Sequence, residues 1–130
     1  MSFLPQSTYL GKLEIVEVYV YYDQPCLFSC QNSTDQIFLA VWVDETEEFN
    51  LWLYVPMSRR RFEEVRMGGI DLRDAFLKSE SGFVYEVKVL PENSPDAIAT
   101  IPCDQLDEDW LPQAGTRLRS DAQTLPVVAK

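Results

Sequence analysis

The stretch IFLAVWVDETEEFNLWLYV, residues 37–55, decides how this chain folds. Two runs rich in β-branched and aromatic residues flank a short polar insert, which is the signature of two strands joined by a hairpin. The spacing predicts strands over Ile37–Asp44 and Phe49–Val55, with Asp44–Glu48 as the loop between them. On alternate positions Ile37, Leu39, Val41 and Val43 share one face of the first strand, and Phe38, Ala40 and Trp42 share the other. In the second strand Leu51, Leu53 and Val55 oppose Trp52 and Tyr54. Neither face is polar. Such a pair belongs in the middle of a sheet, with both faces covered or one face meeting a partner.

The flanking sequence adds strands on both sides. Over Lys12–Tyr22, Val16, Val18 and Val20 alternate with Glu17, Tyr19 and Tyr21, and the adjacent apolar pair Ile15–Val16 marks a site for a bulge. Asp23-Gln24-Pro25 is a turn signal, and Cys26–Gln31 is a short strand closed by the polar cluster from Asn32 to Asp35. After Pro56, Ser58 caps a helix predicted from Arg59 to about Met67, stopped by Gly68-Gly69. Asp71 caps a second helix to about Lys78, with Ile70 and Ala75 placed for a hydrophobic staple. Gly82–Leu90 returns to strand. A loop follows at Pro91–Pro95, then a short strand at Ile98–Ile101 and a helical turn within Cys103–Leu111. The expected fold is α+β: an antiparallel sheet of about five to six strands with two short consecutive helices packed on one face. Residues 1–111 form the single domain, and 112–130 read as a mobile tail, because the apolar period is lost after Pro112.

Composition narrows the function classes. Twenty-one acids against eleven Lys and Arg leave a net charge of −10, the wrong sign for neutralising phosphates, so nucleic acid is not expected as a partner. No run approaches the ~20 apolar residues of a membrane span, and the first residues lack the charged and apolar regions of a signal peptide. Cys26 and Cys30 on a strand stand about 13 Å apart, beyond the roughly 7 Å a disulfide tolerates. Together with an odd cysteine count this implies reduced thiols and a cytoplasmic setting.

The chain has no histidine. Ser-His-Asp and Cys-His mechanisms are therefore excluded, as are mixed Cys–His zinc sites. There is no phosphate loop and no dinucleotide fingerprint, so no catalytic residue, metal ligand or cofactor is assigned. The acid runs Asp44–Glu48 and Asp104–Asp109 lack the alternate spacing of a calcium loop and read as solvated loops. Arg59, Arg60 and Arg61 open the first helix against its dipole. They either serve an acidic partner or pair with the chain's own acids, such as Glu63 and Glu64; surface pairing is the commoner case. Tyr19, Tyr21, Trp42, Trp52 and Tyr54 would share one sheet face if their strands are neighbours, and such rings serve a core or an interface.

The segments 18–28 (VYVYYDQPCLF), 38–44 (FLAVWVD), 51–56 (LWLYVP) and 70–76 (IDLRDAF) together resemble a family of small bacterial proteins of unknown function, over about residues 12–90. The resemblance implies a cytosolic bacterial protein and carries over no activity, cofactor or catalytic residue. The leading expectation is a non-enzymatic protein-interaction module that self-associates as a homodimer. Its candidate surface is Tyr19, Tyr21, Trp42, Trp52, Tyr54, Arg59, Arg60 and Arg61. One alternative is a small-ligand binder or enzyme using carboxylates and the Arg59–Arg61 cluster near Tyr54. A second is an acidic mimic of nucleic acid, which would need its acids along one stripe rather than in two loops.

Overall fold

The computed structural model describes residues 9–21, 25–90, 97–118 and 127–128. Its elements in chain order are β1 (Glu14–Tyr21), β2 (Pro25–Gln31), β3 (Ile37–Glu45), β4 (Asn50–Met57), α1 (Arg59–Arg66), α2 (Leu72–Leu77), β5 (Phe83–Val89), β6 (Ala97–Pro102) and β7 (Val127–Val128). Two 3-10 turns, Cys103–Gln105 and Glu108–Trp110, follow β6 where the sequence indicates a helical turn. The strands form one sheet in the order β6-β5-β4-β3-β2-β1-β7. From β6 to β1 every neighbouring pair is antiparallel. β7 joins β1 in parallel through two residue pairs, Val20–Val127 and Tyr21–Val128. The fold is α+β, as the strand and helix patterns require. The expected turn at Asp23-Gln24 and the loop 91–95 lie outside the described residues.

Strands β3 and β4 take the centre because their two-sided apolar pattern can be satisfied only there. Their register pairs Leu39 with Val55 and Val41 with Leu53 on one face, and Ala40 with Tyr54 and Trp42 with Trp52 on the other. Both helices cover the first face. Phe62 and Val65 of α1, with Leu72, Ala75 and Phe76 of α2, pack on Leu39, Leu53 and Val55 in one core cluster. Leu106 and Leu111 close the same cluster from the segment after β6.

The second face carries Phe28, Cys30, Phe38, Ala40, Trp52, Tyr54 and Val87, and among the described residues no helix lies over it. Leu10 and Leu13, ahead of β1, pack against this face instead. The Asn32 side-chain amide donates to the Leu10 carbonyl at 2.7 Å and anchors the crossing segment. Phe28 packs edge-on to both Trp52 and Tyr54, with centroids 5.4 and 6.1 Å apart. The aromatic rings thus form a second core.

Strand β1 has a register shift between Ile15 and Glu17 and another between Val18 and Val20. The first falls where two apolar residues stand together in the sequence. The second lets Tyr19 and Val20 both contribute to the helix-covered cluster, which a regular two-residue period forbids.

Segment 112–118, placed by sequence beyond the domain, is hydrogen-bonded to the helices. The Leu72 N–H donates to the Thr116 carbonyl at 2.8 Å, the Gly115 N–H donates to the Asp71 carboxylate, and Arg117 donates to the Gly68 carbonyl at 2.8 Å.

Candidate interaction surface

Beneath α1 lies a polar chain built by the bulged β1. The Tyr19 hydroxyl lies 2.9 Å from a Glu17 carboxylate oxygen and 3.0 Å from the Ser29 hydroxyl. Arg66, at the end of α1, donates to both oxygens of Glu17 at 2.9 and 3.3 Å. Hydrogen bonding from Arg66 holds the Glu17 carboxyl below its ordinary value. Burial pushes the Tyr19 phenol well above its own. Ser29 is fully buried. A phenol that stays protonated and a carboxylate that stays ionised act here as donor and acceptor. The group clamps α1 to the sheet.

The three arginines that open α1 have separate fates. Arg61 donates to the Asp74 and Lys78 carbonyls at 3.3 and 2.7 Å, closing the C-terminal end of α2. Arg59 and Arg60 are exposed, and among the described residues neither holds an acid. The pairing expected with Glu63 and Glu64 goes elsewhere: Glu63 lies 3.7 Å from Arg66. The adverse dipole is answered by Glu80, whose carboxylate accepts from the Ser58 N–H and hydroxyl at 2.7 and 2.9 Å. Negative charge at a helix start is where the dipole favours it.

Of the candidate aromatics, Trp42, Trp52 and Tyr54 share the second face and Tyr19 lies on the opposite one. Trp52 and Tyr54 are 0% exposed. The Tyr21 side chain is outside the described residues, although its backbone pairs with Pro25 and Val128. Tyr54 is also on the far side of the sheet from α1, so the structure does not bring it together with the arginines. Tyr19, Trp52 and Tyr54 fill the interior, and Trp42 packs half-buried against the second cluster.

Other groups are committed internally or stand apart. Cys26, Cys30 and Cys103 form no disulfide, and burial pushes the Cys30 thiol up to about 12. Among the described residues no group of three or more Cys, Asp or Glu side chains is placed to hold a metal ion. An open cleft of about 310 Å³ is lined by Glu14, Ile15, Val16, Gln31, Asn32, Ser33 and Asp35. Its polar groups bond one another: Asn32 accepts from the Thr34 and Gln36 N–H groups, and Gln31 donates to Asp35.

The surface that remains is the outer edge of β6. It is the terminal strand of the sheet, and no described strand pairs with its far side. Its sequence, Ala-Ile-Ala-Thr-Ile-Pro, has no charged residue in a chain that is 25% charged. Ile101 packs on the helix-covered cluster and Ile98 on the aromatic one, so both cores run out to this edge. Strand β1 at the opposite margin is defended by Glu14, Glu17, its bulges and β7, the usual means of blocking strand addition. β6 carries none of these defences before Pro102. The sequence marks 98–101 as a strand; its place at the margin depends on strand order, which no local pattern encodes.

Among the described residues no helix is long and apolar enough to cross a membrane. Comparison with curated proteins and with solved structures returned no match. The model of a family described only as a family of unknown function (DUF6575) matches residues 1–127, and the chain belongs to that family.

Proposed function

We propose that this protein is a non-enzymatic protein-interaction module that holds an extended segment of a protein partner along β6, and that self-association is part of its behaviour. The observation that carries this reading is the open, uncharged outer edge of β6, onto which both apolar clusters continue. A strand at a sheet margin presents unpaired N–H and C=O groups, and an added strand satisfies them while side chains on both faces set the fit. The aromatic rings Trp52 and Tyr54 support this function from inside, as the packed core that keeps the edge straight and in register. Arg59 and Arg60 stand as a second contact point for an acidic stretch of partner. Nucleic acid is disfavoured by the net charge of −10.

Sedimentation equilibrium of the wild-type chain and of Ala99→Lys tests the reading. The expected result is concentration-dependent association of the wild type and its loss in the variant, with far-UV circular dichroism unchanged. A wild type that stays monomeric over a wide concentration range ends the self-association part. An Ala99→Lys chain that associates as well as the wild type removes β6 as the contact.

A further inference from the structure

We infer that segment 112–118 is a releasable strap, latched by one carboxylate oxygen of Asp71, and that its opening loosens α2. Asp71 is the N-cap of α2, and one of its oxygens accepts from the Arg73 N–H at 2.7 Å. A cap needs only one oxygen, and Ser or Asn supplies it as well as Asp does. The second oxygen of Asp71 accepts from the Gly115 N–H, 44 residues away in the chain. Hydrogen bonding from Gly115, ahead of that from Arg73, holds the Asp71 carboxyl below its ordinary value. Both oxygens are therefore acceptors at neutral pH.

The strap is shaped to present that N–H. The Thr116 N–H donates to the Gln113 carbonyl at 3.2 Å, closing a turn in which Gly115 stands third at φ +88°. A positive φ at that position is what a type II turn requires, and the Gly115 N–H stays outside the turn's own bond. On either side of the latch, Arg73 donates to the Pro112 carbonyl and to Glu108, both at 3.1 Å, and Arg117 donates to the Gly68 carbonyl. The Leu72 N–H, which donates to the Thr116 carbonyl, belongs to the first turn of α2, where no intrahelical acceptor exists. A six-residue helix has little stability of its own, so the strap supplies part of what keeps α2 wound.

The hold is polar almost throughout. Residues 113–117 are exposed, and only Leu118 at the end of the strap packs on the helix-covered cluster. Ordering such a segment costs conformational entropy that a few exposed hydrogen bonds barely offset. Segments held in this way open locally while the sheet stays intact. Sharing one carboxylate between cap and strap couples the two. With the strap closed, the Gly115 bond fixes the orientation of the oxygen that caps α2; with it open, the Asp71 side chain is free to turn and the Leu72 N–H loses its acceptor.

Hydrogen exchange of the full chain, read by mass spectrometry, tests this with Asp71→Asn and Gly115→Ala. With a single acceptor oxygen, Asn caps α2 but cannot also accept from Gly115. Gly115→Ala leaves Asp71 in place; a Cβ there meets open space, so its effect comes through the backbone conformation alone. Both variants are expected to speed exchange in peptides covering 112–118 roughly tenfold. Exchange over 71–77 is expected to rise by a smaller factor, and exchange over 37–57 to stay at the wild-type rate. Trypsin is expected to cut faster after Arg117 in both. Unaltered exchange over 112–118 in either variant removes the Asp71–Gly115 bond as the latch. Faster exchange over 37–57 to the same degree means that the segment opens only with the whole domain, and overturns the releasable strap. Opening over 112–118 with 71–77 unchanged in both variants overturns the coupling to α2.

Discussion

At the scale of single residues, the Glu17–Tyr19–Ser29–Arg66 group is the most interdependent part of the molecule. Replacing Tyr19 with Phe leaves the buried Ser29 hydroxyl without its partner, a loss expected to cost about 1–2 kcal/mol in urea unfolding. The double change Tyr19→Phe with Ser29→Ala is expected to cost less than the sum of the two, because it removes both ends of one bond. Glu17 sets a pH dependence. Its folded-state pKa lies below the ordinary 4.5, so its stabilisation is fully present above that value and fades as the pH falls through the folded-state pKa. The stability gap between wild type and Glu17→Gln, about 1 kcal/mol at neutral pH given the partly exposed Arg66, is expected to narrow below pH 4.5. Gly68 is a different kind of constraint: it adopts φ +83°, and a Cβ there would meet the Leu118 carbonyl oxygen at 2.5 Å. Gly68→Ala is expected to lower stability by about 2 kcal/mol, measured by the same unfolding curves.

At the scale of elements, each short helix depends on groups outside itself. An eight-residue helix is unstable alone, and α1 starts with three cations. Ser58 accepts from the Arg61 N–H at 3.2 Å and donates to Glu80, so Ser58→Ala removes a cap and loosens the carboxylate that offsets those cations. A loss of about 1 kcal/mol is expected from the midpoint of urea unfolding. In exchange, Arg61 ties off α2, so the two helices stabilise one another through their termini. Most of this was legible: Ser58 and Asp71 as caps, Gly68 as a stop and the strand limits all follow from local chemistry. Glu80 was not, because it is 22 residues from Ser58 in sequence and only the return of the chain after α2 brings it there. The second bulge in β1 was likewise hidden, since Val18-Tyr19-Val20 alternates without a flaw.

At the scale of the whole molecule, the balance is between a large like charge and an uncharged contact. Two copies carrying −10 each repel, and salt weakens that repulsion without weakening a backbone ladder. Association through β6 is therefore expected to strengthen between roughly 50 mM and 500 mM salt, measured as the dimer fraction in sedimentation equilibrium. A contact between Arg59–Arg60 and acid residues of a partner would weaken over the same range, so the sign of the salt effect separates the two. The N-terminal crossing matters at this scale too. Leu10 is 5% exposed over the aromatic face, and Leu10→Ala is expected to cost about 2–3 kcal/mol and to alter tryptophan emission by admitting water near Trp52.

Local sequence by itself determined the strands, the two helices with their caps, the α+β class and the absence of histidine chemistry, because each rests on side-chain period, backbone preference or composition within a few residues. It also determined that β3 and β4 are apolar on both faces, each of which had to be covered or to meet a partner. What covers them was decided only by tertiary structure: two helices on one side, and a segment carrying Leu10 and Leu13 on the other. That outcome turned Trp52 and Tyr54 from candidate contacts into core, and sent Tyr19 to the opposite face. The open edge is tertiary as well. Ala97–Pro102 has the same local chemistry wherever it lies, and only strand order leaves it last among the described strands of the sheet.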